Sequence, residues 1–392
     1  MVKHSLRKMA AIFTRERFGK PQFAALFLLV LFLLQAFWLV VSHPMPASEI
    51  ARVQKGLAQW HSGRIPIEDP YRSPLYYVLP VVPLLGHNFD HNNDPLTFLS
   101  WRLPARAIWL LYGVFLGASI WYVARRLYGN PGGYIALVLY CFSPVMLAEA
   151  ASFFVQPELG AAWGTFGSIF TAVAVSHTLY APRRVLWNWR RIVLLGVSLA
   201  MAIGSQFSLW VVLPMALAFM LYLAPGRRNA AIAIFAASCA VAFVVLLAAY
   251  SFRWSSFTNG LQHAAFFDAV PEALKMGTNY AQLAARLTRT SPALLVLLPL
   301  SLVTFIAWPR ARYFGNTAPL IVSLSLIFLG LITPHHPGIG FQLVAMPILF
   351  VFIAGVLSDL LETRRRDLVL VLVISLLLAY VVWSVSSLLR VS

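Results

Sequence analysis

Charged residues are scarce in this chain of 392 residues. Only 11% of the residues are charged, and 13 acidic residues face 30 Lys and Arg residues, which gives a formal net charge of +17. Ordinary soluble domains carry about 25% charged residues. The scarcity therefore excludes an ordinary soluble domain, and the hydrophobic content of 60% favours a chain that lies in a bilayer.

Cysteine is also rare. The two cysteines, Cys141 and Cys239, both lie inside apolar stretches. Two isolated thiols of this kind exclude a disulfide framework and a cysteine-based zinc site.

The first apolar stretch, 22–41, is long and lacks a small-residue cleavage site, so we interpret it as a membrane helix rather than a signal peptide.

The apolar residues are gathered into blocks, and a helix needs about 20 such residues to cross a bilayer. The blocks predict an all-α fold, a polytopic transmembrane helical bundle of about eleven helices. We divide the stretch 192–223 near Gly204, Ser205 and Gln206, because two short crossings keep its Arg-rich ends on one side. The predicted crossings are 22–41, 105–124, 132–150, 159–179, 192–204, 206–223, 229–250, 292–309, 317–333, 340–358 and 367–387.

Arginine clusters lie beside many of these blocks. They are Arg125-Arg126, Arg183-Arg184, Arg190-Arg191, Arg227-Arg228 and Arg364-Arg365-Arg366. The positive-inside rule places such clusters in the cytoplasm, and we favour this interpretation over nucleic-acid contacts. The basic start, 1–21, is then cytoplasmic as well, in a protein of the cytoplasmic (inner) membrane.

A single integral membrane domain covering 1–392 is expected, with two long external segments at 43–104 and 251–291. Since the cytoplasmic connections are short, any chemistry is expected on the external, periplasmic side. In the first external segment the apolar residues from Ile50 to Trp60 recur at helical spacing and predict an amphipathic helix at the membrane interface. The proline-broken stretch 75–85 is too short to span the membrane, so we expect it to dip into the membrane or lie on it.

Three acids are candidates for chemistry. Glu49 follows the first helix and is the first candidate for a general base that takes a proton from an acceptor hydroxyl. Glu149 and Glu158 bracket the external turn between the third and fourth helices, where acids near membrane depth are functional candidates. For all three acids the alternative is a carboxylate solvated at the interface.

Among the external cations, Arg72 lies between prolines and aromatic residues and is a candidate for a bidentate phosphate contact. Its alternative is to reach the lipid headgroups as an ordinary interfacial side chain. For His335 and His336 a polar turn is favoured over a metal site, because neighbouring side chains point apart and a third ligand is not evident. No metal ligand is assigned, and cofactors stay unknown.

Three regions together resemble one known superfamily. They are Ser48-Glu49 followed by the segment Pro70 to Tyr77, then Ser143-Pro144 through Leu159, and Pro334-His335-His336-Pro337 through Pro347. In order and placement these regions are similar to those of the polytopic GT-C type glycosyltransferases that use polyprenyl-phosphate sugars, including the protein mannosyltransferases and aminoarabinose transferases. Two positions depart from the family pattern: Ser48 stands where an acid often precedes the base, and Gln156 where a second acid usually falls.

The resemblance implies transfer of a sugar from a polyprenyl-phosphate donor to an acceptor on the outer membrane face, with inversion at the anomeric carbon. Glu49 would be the general base, and Arg72 and His335 would contact the departing phosphate. Gln156 or Glu158 would bind sugar hydroxyls, with Glu149 as a further substrate contact. The alternatives are a polytopic transporter or lipid flippase without glycosyl transfer, and a catalytically silent scaffold.

Overall fold

The computed structural model of the protein describes residues 20–62, 70–86, 99–151, 158–180, 189–266, 269–333, 341–363 and 366–391. The described residues form helices, short turns and no strand, which confirms the all-α class. The α-helices are α1 (Lys20–Ser42), α2 (Ala47–Ser62), α3 (Leu75–Val78), α4 (Leu99–Cys141), α5 (Pro144–Ala151), α6 (Glu158–Thr178), α7 (Trp189–Ser205), α8 (Val212–Leu223), α9 (Arg228–Ala249), α10 (Trp254–Gln262), α11 (Gly277–Thr290), α12 (Leu294–Ala307), α13 (Phe314–Ile332), α14 (Phe341–Leu361) and α15 (Arg366–Val391).

Helix α4 contains a sharp reversal. Gly129 adopts φ 73° and ψ −170°, a conformation that glycine reaches without the strain other residues meet there. Beyond it the helix runs back along its first half, since the Tyr140 hydroxyl donates to the Gly113 carbonyl at 2.7 Å. The reversal separates the predicted crossings 105–124 and 132–150. The second of these is itself interrupted after Cys141, where Pro144, which has no N–H to donate, begins α5.

The two ends of the helical bundle are each marked by hydrogen bonds between residues that are far apart in the sequence. At the end that carries α2, backbone N–H groups of Phe207 and Ala265 donate to Tyr71 and Pro70. At the opposite end the Tyr128 hydroxyl donates to the Gly315 carbonyl at 2.5 Å. We call the first of these the α2 end.

The stretch 192–223 is divided at the predicted place. Helix α7 ends at Ser205, and Gln206 is extended with φ −157° and ψ 109°. Phe207 then starts a 3-10 turn at the α2 end before α8 returns along the bundle.

Seven stretches among the described residues are long and apolar enough to span a membrane, or eight if α11 and α12, bent by 106°, form one broken span. The count of eleven crossings therefore stays a prediction.

The core of the bundle follows α14. Every residue of this helix from Phe341 to Ser358 is buried, including its polar Gln342. Helices such as α1, α9 and α15 keep large apolar side chains exposed, as a surface that faces lipid requires. The bundle thus has a protein-buried centre and an apolar outer surface, the arrangement of a polytopic membrane protein.

The expected amphipathic helix is α2, and the proline-broken stretch after Ser73 is short and buried. This stretch forms α3 and a 3-10 turn at Val82–Leu84. Two side-chain bonds fix α2 to its surroundings: the Gln59 amide donates to the Ala249 carbonyl at 2.8 Å, and the Trp60 indole donates to the Val78 carbonyl at 3.1 Å. Helix α2 therefore lies packed across the end of the bundle.

Candidate functional site

The candidate site at the α2 end is built around Glu49, in the first turn of α2. Its carboxylate accepts two hydrogen bonds from Arg106 of α4, Nε to Oε1 and Nη2 to Oε2, both at 3.1 Å. Both side chains are buried, with exposed fractions of 1% for Glu49 and 0% for Arg106. A planar guanidinium that meets a carboxylate through two parallel bonds fixes both position and orientation.

Arg106 also secures the end of α1. Its Nη1 donates to the carbonyl oxygens of Val40 and His43, both at 3.2 Å. These carbonyls lie where helix α1 ends and lacks its own donors, and the positive charge suits the negative end of the helix dipole. One arginine thus connects α1, α2 and α4.

The environment of Glu49 shifts its proton affinity. Burial raises the pKa of the Glu49 carboxyl from its ordinary value of 4.5 to about 7, because desolvation outweighs the hydrogen bonds and charge of Arg106. Arg102, one turn earlier on α4, lowers the pKa by a smaller amount. The carboxyl group therefore changes its charge near neutral pH.

The structure argues against the alternative given for Glu49, a carboxylate solvated at the interface. Glu49 lies on the buried face of α2 beside Val53. The burial is possible because Arg106 supplies the counter-charge. The signal was present in the sequence, since an arginine inside the predicted crossing 105–124 requires a partner at membrane depth.

Arg72 lies close to α2, the helix that carries Glu49. It is buried, with an exposed fraction of 8%, and its guanidinium carbon lies 5.6 Å from the ring centre of Tyr76. Arg52 of α2 approaches the same ring at 6.0 Å. Two guanidinium groups therefore flank one aromatic ring, an arrangement that concentrates positive charge beside α3.

The remaining predicted site residues lie partly or wholly outside the described residues. Gln156 and His335 are outside them. Glu149 and Glu158 are described only through their backbones, in the last turn of α5 and at the first residue of α6. Gly160, two residues after Glu158, lies against Trp109 of α4, so the start of α6 is at the α2 end. The roles predicted for these four residues stay predictions.

A small cleft lies where α11 meets α13 and α14. Its polar lining residues are Asn279, Gln282, Arg286 and Gln342. Amide and guanidinium groups of this kind suit hydroxyl and phosphate oxygens. Gly330 and Leu331, near the end of α13, also line this cleft, and His335 follows them in the sequence but lies outside the described residues. Within the described part of the chain, no three His, Cys, Asp or Glu residues are grouped to hold a metal ion.

The fold defines a class of protein: a polytopic membrane protein built from helices throughout its described residues. The structure is similar to the oligosaccharyltransferase of Archaeoglobus fulgidus in its complex with zinc and sulfate, with a TM-score of 0.60 and 12% identity. That match covers 92% of this chain and 53% of the other.

A second similar structure is the archaeal oligosaccharyltransferase AglB from the same organism, in complex with an inhibitory peptide and a dolichol-phosphate. Its TM-score is 0.57 at 13% identity, and the match covers 94% of this chain and 55% of that one. This chain thus corresponds to about half the length of these proteins. No family model matches the chain, and no curated protein matches it.

Proposed function

We propose that the protein is a membrane glycosyltransferase that transfers a sugar from a polyprenyl-phosphate donor to an acceptor at the external membrane face. The observation that carries the proposal is the shared fold, which extends over 92% of this chain and is accompanied by an acid directly after the first membrane helix. One of the similar structures holds a dolichol-phosphate, which is a lipid phosphate of the class that the proposal requires.

The proposed reaction inverts the configuration at the anomeric carbon. The acceptor hydroxyl attacks that carbon while Glu49 takes its proton, and the bond to the phosphate oxygen breaks with its electron pair leaving on the lipid phosphate. A general base works best when its pKa is near the operating pH, and the raised pKa of Glu49, about 7, meets that requirement. Arg72 and His335 are proposed to stabilise the departing phosphate, and Glu149, Gln156 and Glu158 to contact the sugar.

The pair with Arg106 constrains how Glu49 acts. A carboxylate has about four lone-pair positions, and Arg106 occupies one on each oxygen, which leaves an acceptor position on each. Because the side chain is only 1% exposed, an acceptor reaches it only after a local displacement around α2. The proposal therefore includes an opening step on acceptor binding, with Arg106 keeping the carboxylate oriented.

The test is transfer by purified protein in liposomes, supplied with a panel of labelled polyprenyl-phosphate sugars. Glu49→Gln is expected to lower the transfer rate by about 10² to 10⁴. Glu272→Gln, which alters an exposed acid at the same end, is the matched control and is expected to leave the rate unchanged. Full activity of Glu49→Gln removes it as the base. Movement of the labelled lipid across the bilayer without any sugar product identifies a flippase instead.

A further inference from the structure

Two helices of the bundle are interrupted at the same dipeptide, Ser-Pro. Helix α4 ends at Cys141, and Ser143-Pro144 leads into α5. Helix α11 ends at Thr290, and Ser291-Pro292 leads into α12, which is bent by 106° from α11. Proline has no N–H for the helical ladder, and the residue before it favours an extended backbone, as Ser291 shows with φ −152° and ψ 105°. Each break therefore leaves backbone groups that need partners from elsewhere.

At the first break, backbone carbonyl groups accept side-chain hydrogen bonds from α15. The Ser143 N–H donates to the carbonyl three residues before it, and not to that of Leu139, which would be its α-helical acceptor. The Leu139 carbonyl instead accepts from the Tyr380 hydroxyl of α15 at 3.0 Å. The Phe142 carbonyl, inside the break, accepts from the Ser384 hydroxyl, one turn further along α15. Helix α15 therefore holds the point at which α5 begins.

The Tyr380 hydroxyl also reaches the second break. It accepts a hydrogen bond from the Ser291 hydroxyl at 3.2 Å while it donates to the Leu139 carbonyl. All three residues are buried. A hydroxyl group has one donor and two acceptor positions, so one tyrosine serves both breaks at once. A buried polar network whose members are all bonded favours a single arrangement, and here it joins the two irregular points of the bundle.

The helices on the outer side of these breaks belong to the proposed site. Helix α5 carries Glu149 in its last turn, and the chain continues from α5 towards Gln156. Helix α11 packs against α5 and lines the small cleft with α13 and α14, to which it contributes Asn279, Gln282 and Arg286. A shift at either break would change the distance between these groups, and small misplacements of binding groups are costly to an enzyme.

We propose that Tyr380 is a positioning residue, whose hydroxyl holds the two Ser-Pro breaks in register and so fixes α5 and α11 for contact with the donor sugar. That the ligand is a donor sugar rests on the proposed function. Tyr380 acts through the helices that it joins, because its buried hydroxyl is bonded on both sides within the protein. The competing explanation is a bridge that stabilises the bundle without any effect on donor recognition.

The first measurement is hydrogen–deuterium exchange of the purified full-length protein in detergent, followed by mass spectrometry. Tyr380→Phe keeps the ring and removes both hydrogen bonds, so the amides of α5 and α11 are expected to exchange about three- to tenfold faster. Ser291→Ala removes one bond at the second break, and the amides of α5 are expected to respond as well, because the Tyr380 hydroxyl is shared. The double variant is expected to exchange no faster than Tyr380→Phe alone.

The second measurement is the KM for a labelled polyprenyl-phosphate sugar. In Tyr380→Phe the KM is expected to rise about three- to tenfold, because groups that bind the sugar are displaced. A loss of stability alone lowers the fraction of active protein and hence the apparent kcat, but leaves the KM unchanged. The KM thus separates positioning from a purely structural role.

The matched control is Tyr128→Phe. It removes the hydrogen bond of another buried tyrosine hydroxyl, to the Gly315 carbonyl at the opposite end of the bundle. It is expected to leave both the amide exchange of α5 and α11 and the KM unchanged. Thermal unfolding of each variant shows that it is folded before either measurement.

Faster exchange in both helices together with a raised KM supports the proposal. Exchange that is unchanged in either helix overturns it, as does a wild-type KM in spite of faster exchange. A wild-type protein that transfers no sugar contradicts the proposed function. In that case faster exchange of α5 in Ser291→Ala still supports the bridge between the breaks, and unchanged exchange overturns it.

Discussion

Glu49 and Arg106, separated by 57 residues in the sequence, form a bidentate ion pair that is buried on both sides. The pair joins the first turn of α2 to α4, and the further bonds of Arg106 to Val40 and His43 bring in the end of α1. A single charge interaction thus sets the geometry of the proposed catalytic carboxylate and the docking of the helix that carries it.

Loss of the arginine is expected to be costly. Arg106→Gln leaves the Glu49 carboxylate buried without its counter-charge, and breaking a buried pair in this way typically costs about 3–5 kcal/mol. We expect that loss in the free energy of unfolding, measured by denaturation in detergent.

The matched control is Arg310→Gln, which breaks the ion pair with Glu362. The two atoms of that pair are 2.9 Å apart, but the side chains are 61% and 64% exposed. Exposed pairs contribute about 0–1 kcal/mol, so the control variant is expected to unfold almost as the wild type does. Equal effects of the two substitutions contradict the structural role given to Arg106.

The stability of the fold is expected to depend on pH through Glu49. Its pKa is about 7 in the folded protein and 4.5 ordinarily, so the folded state binds this proton more tightly. The stabilising contribution is then complete below about pH 4.5 and is lost as the pH rises through about 7, with a size of roughly 3 kcal/mol. Unfolding measured across this window is expected to show the decrease, and Glu49→Gln is expected to abolish it.

Transfer activity is expected to show the opposite pH dependence. A general base is active when ionised, so kcat/KM is expected to rise with pH through about 7 and to level off above it. In Arg106→Lys the charge is kept but the paired bonds are lost, so we expect the midpoint to move to higher pH. A rate that falls through this range is incompatible with Glu49 as the base.

The helices of the bundle could largely be predicted from the sequence, because each apolar block is a local feature. The break at Gln206 and the amphipathic helix α2 lie at the predicted places. The interruption of the third crossing at Ser143 was missed, although Pro144 marks it. Hydropathy alone does not register a short break between two apolar helices.

The site was less predictable because it depends on contacts between distant residues. Glu49 was identified by its position after the first helix, but its burial depends on Arg106, which belongs to a predicted membrane helix. Arg52, Tyr77 and Trp109, from three different helices, line one narrow cleft, and together they form no recognisable sequence motif. Such arrangements require the packing of the helices, which local patterns do not specify.

The close approach of α2 to α3 supplies another test. A Cβ atom at Gly56 would lie 2.3 Å from the Tyr77 carbonyl oxygen and 2.8 Å from a methyl carbon of Val81. Gly56→Ala is therefore expected to push α2 away and to cost about 1–3 kcal/mol in unfolding free energy. At Gly277 a Cβ would meet nothing within 4 Å, so Gly277→Ala is the control and is expected to be close to neutral. A neutral Gly56→Ala would show that α2 packs less closely.

The last prediction concerns the side of the membrane on which Glu49 lies. Ser48 is exposed beside it, and Glu362 is 64% exposed after α14 at the opposite end of the bundle. In a Cys141→Ala, Cys239→Ala background, we expect an impermeant thiol reagent to label Ser48→Cys from the external side and Glu362→Cys only from the cytoplasm. This follows from the arginine clusters, which resist translocation. The reversed labelling would place Glu49 in the cytoplasm and contradict external sugar transfer, while leaving its pairing with Arg106 intact.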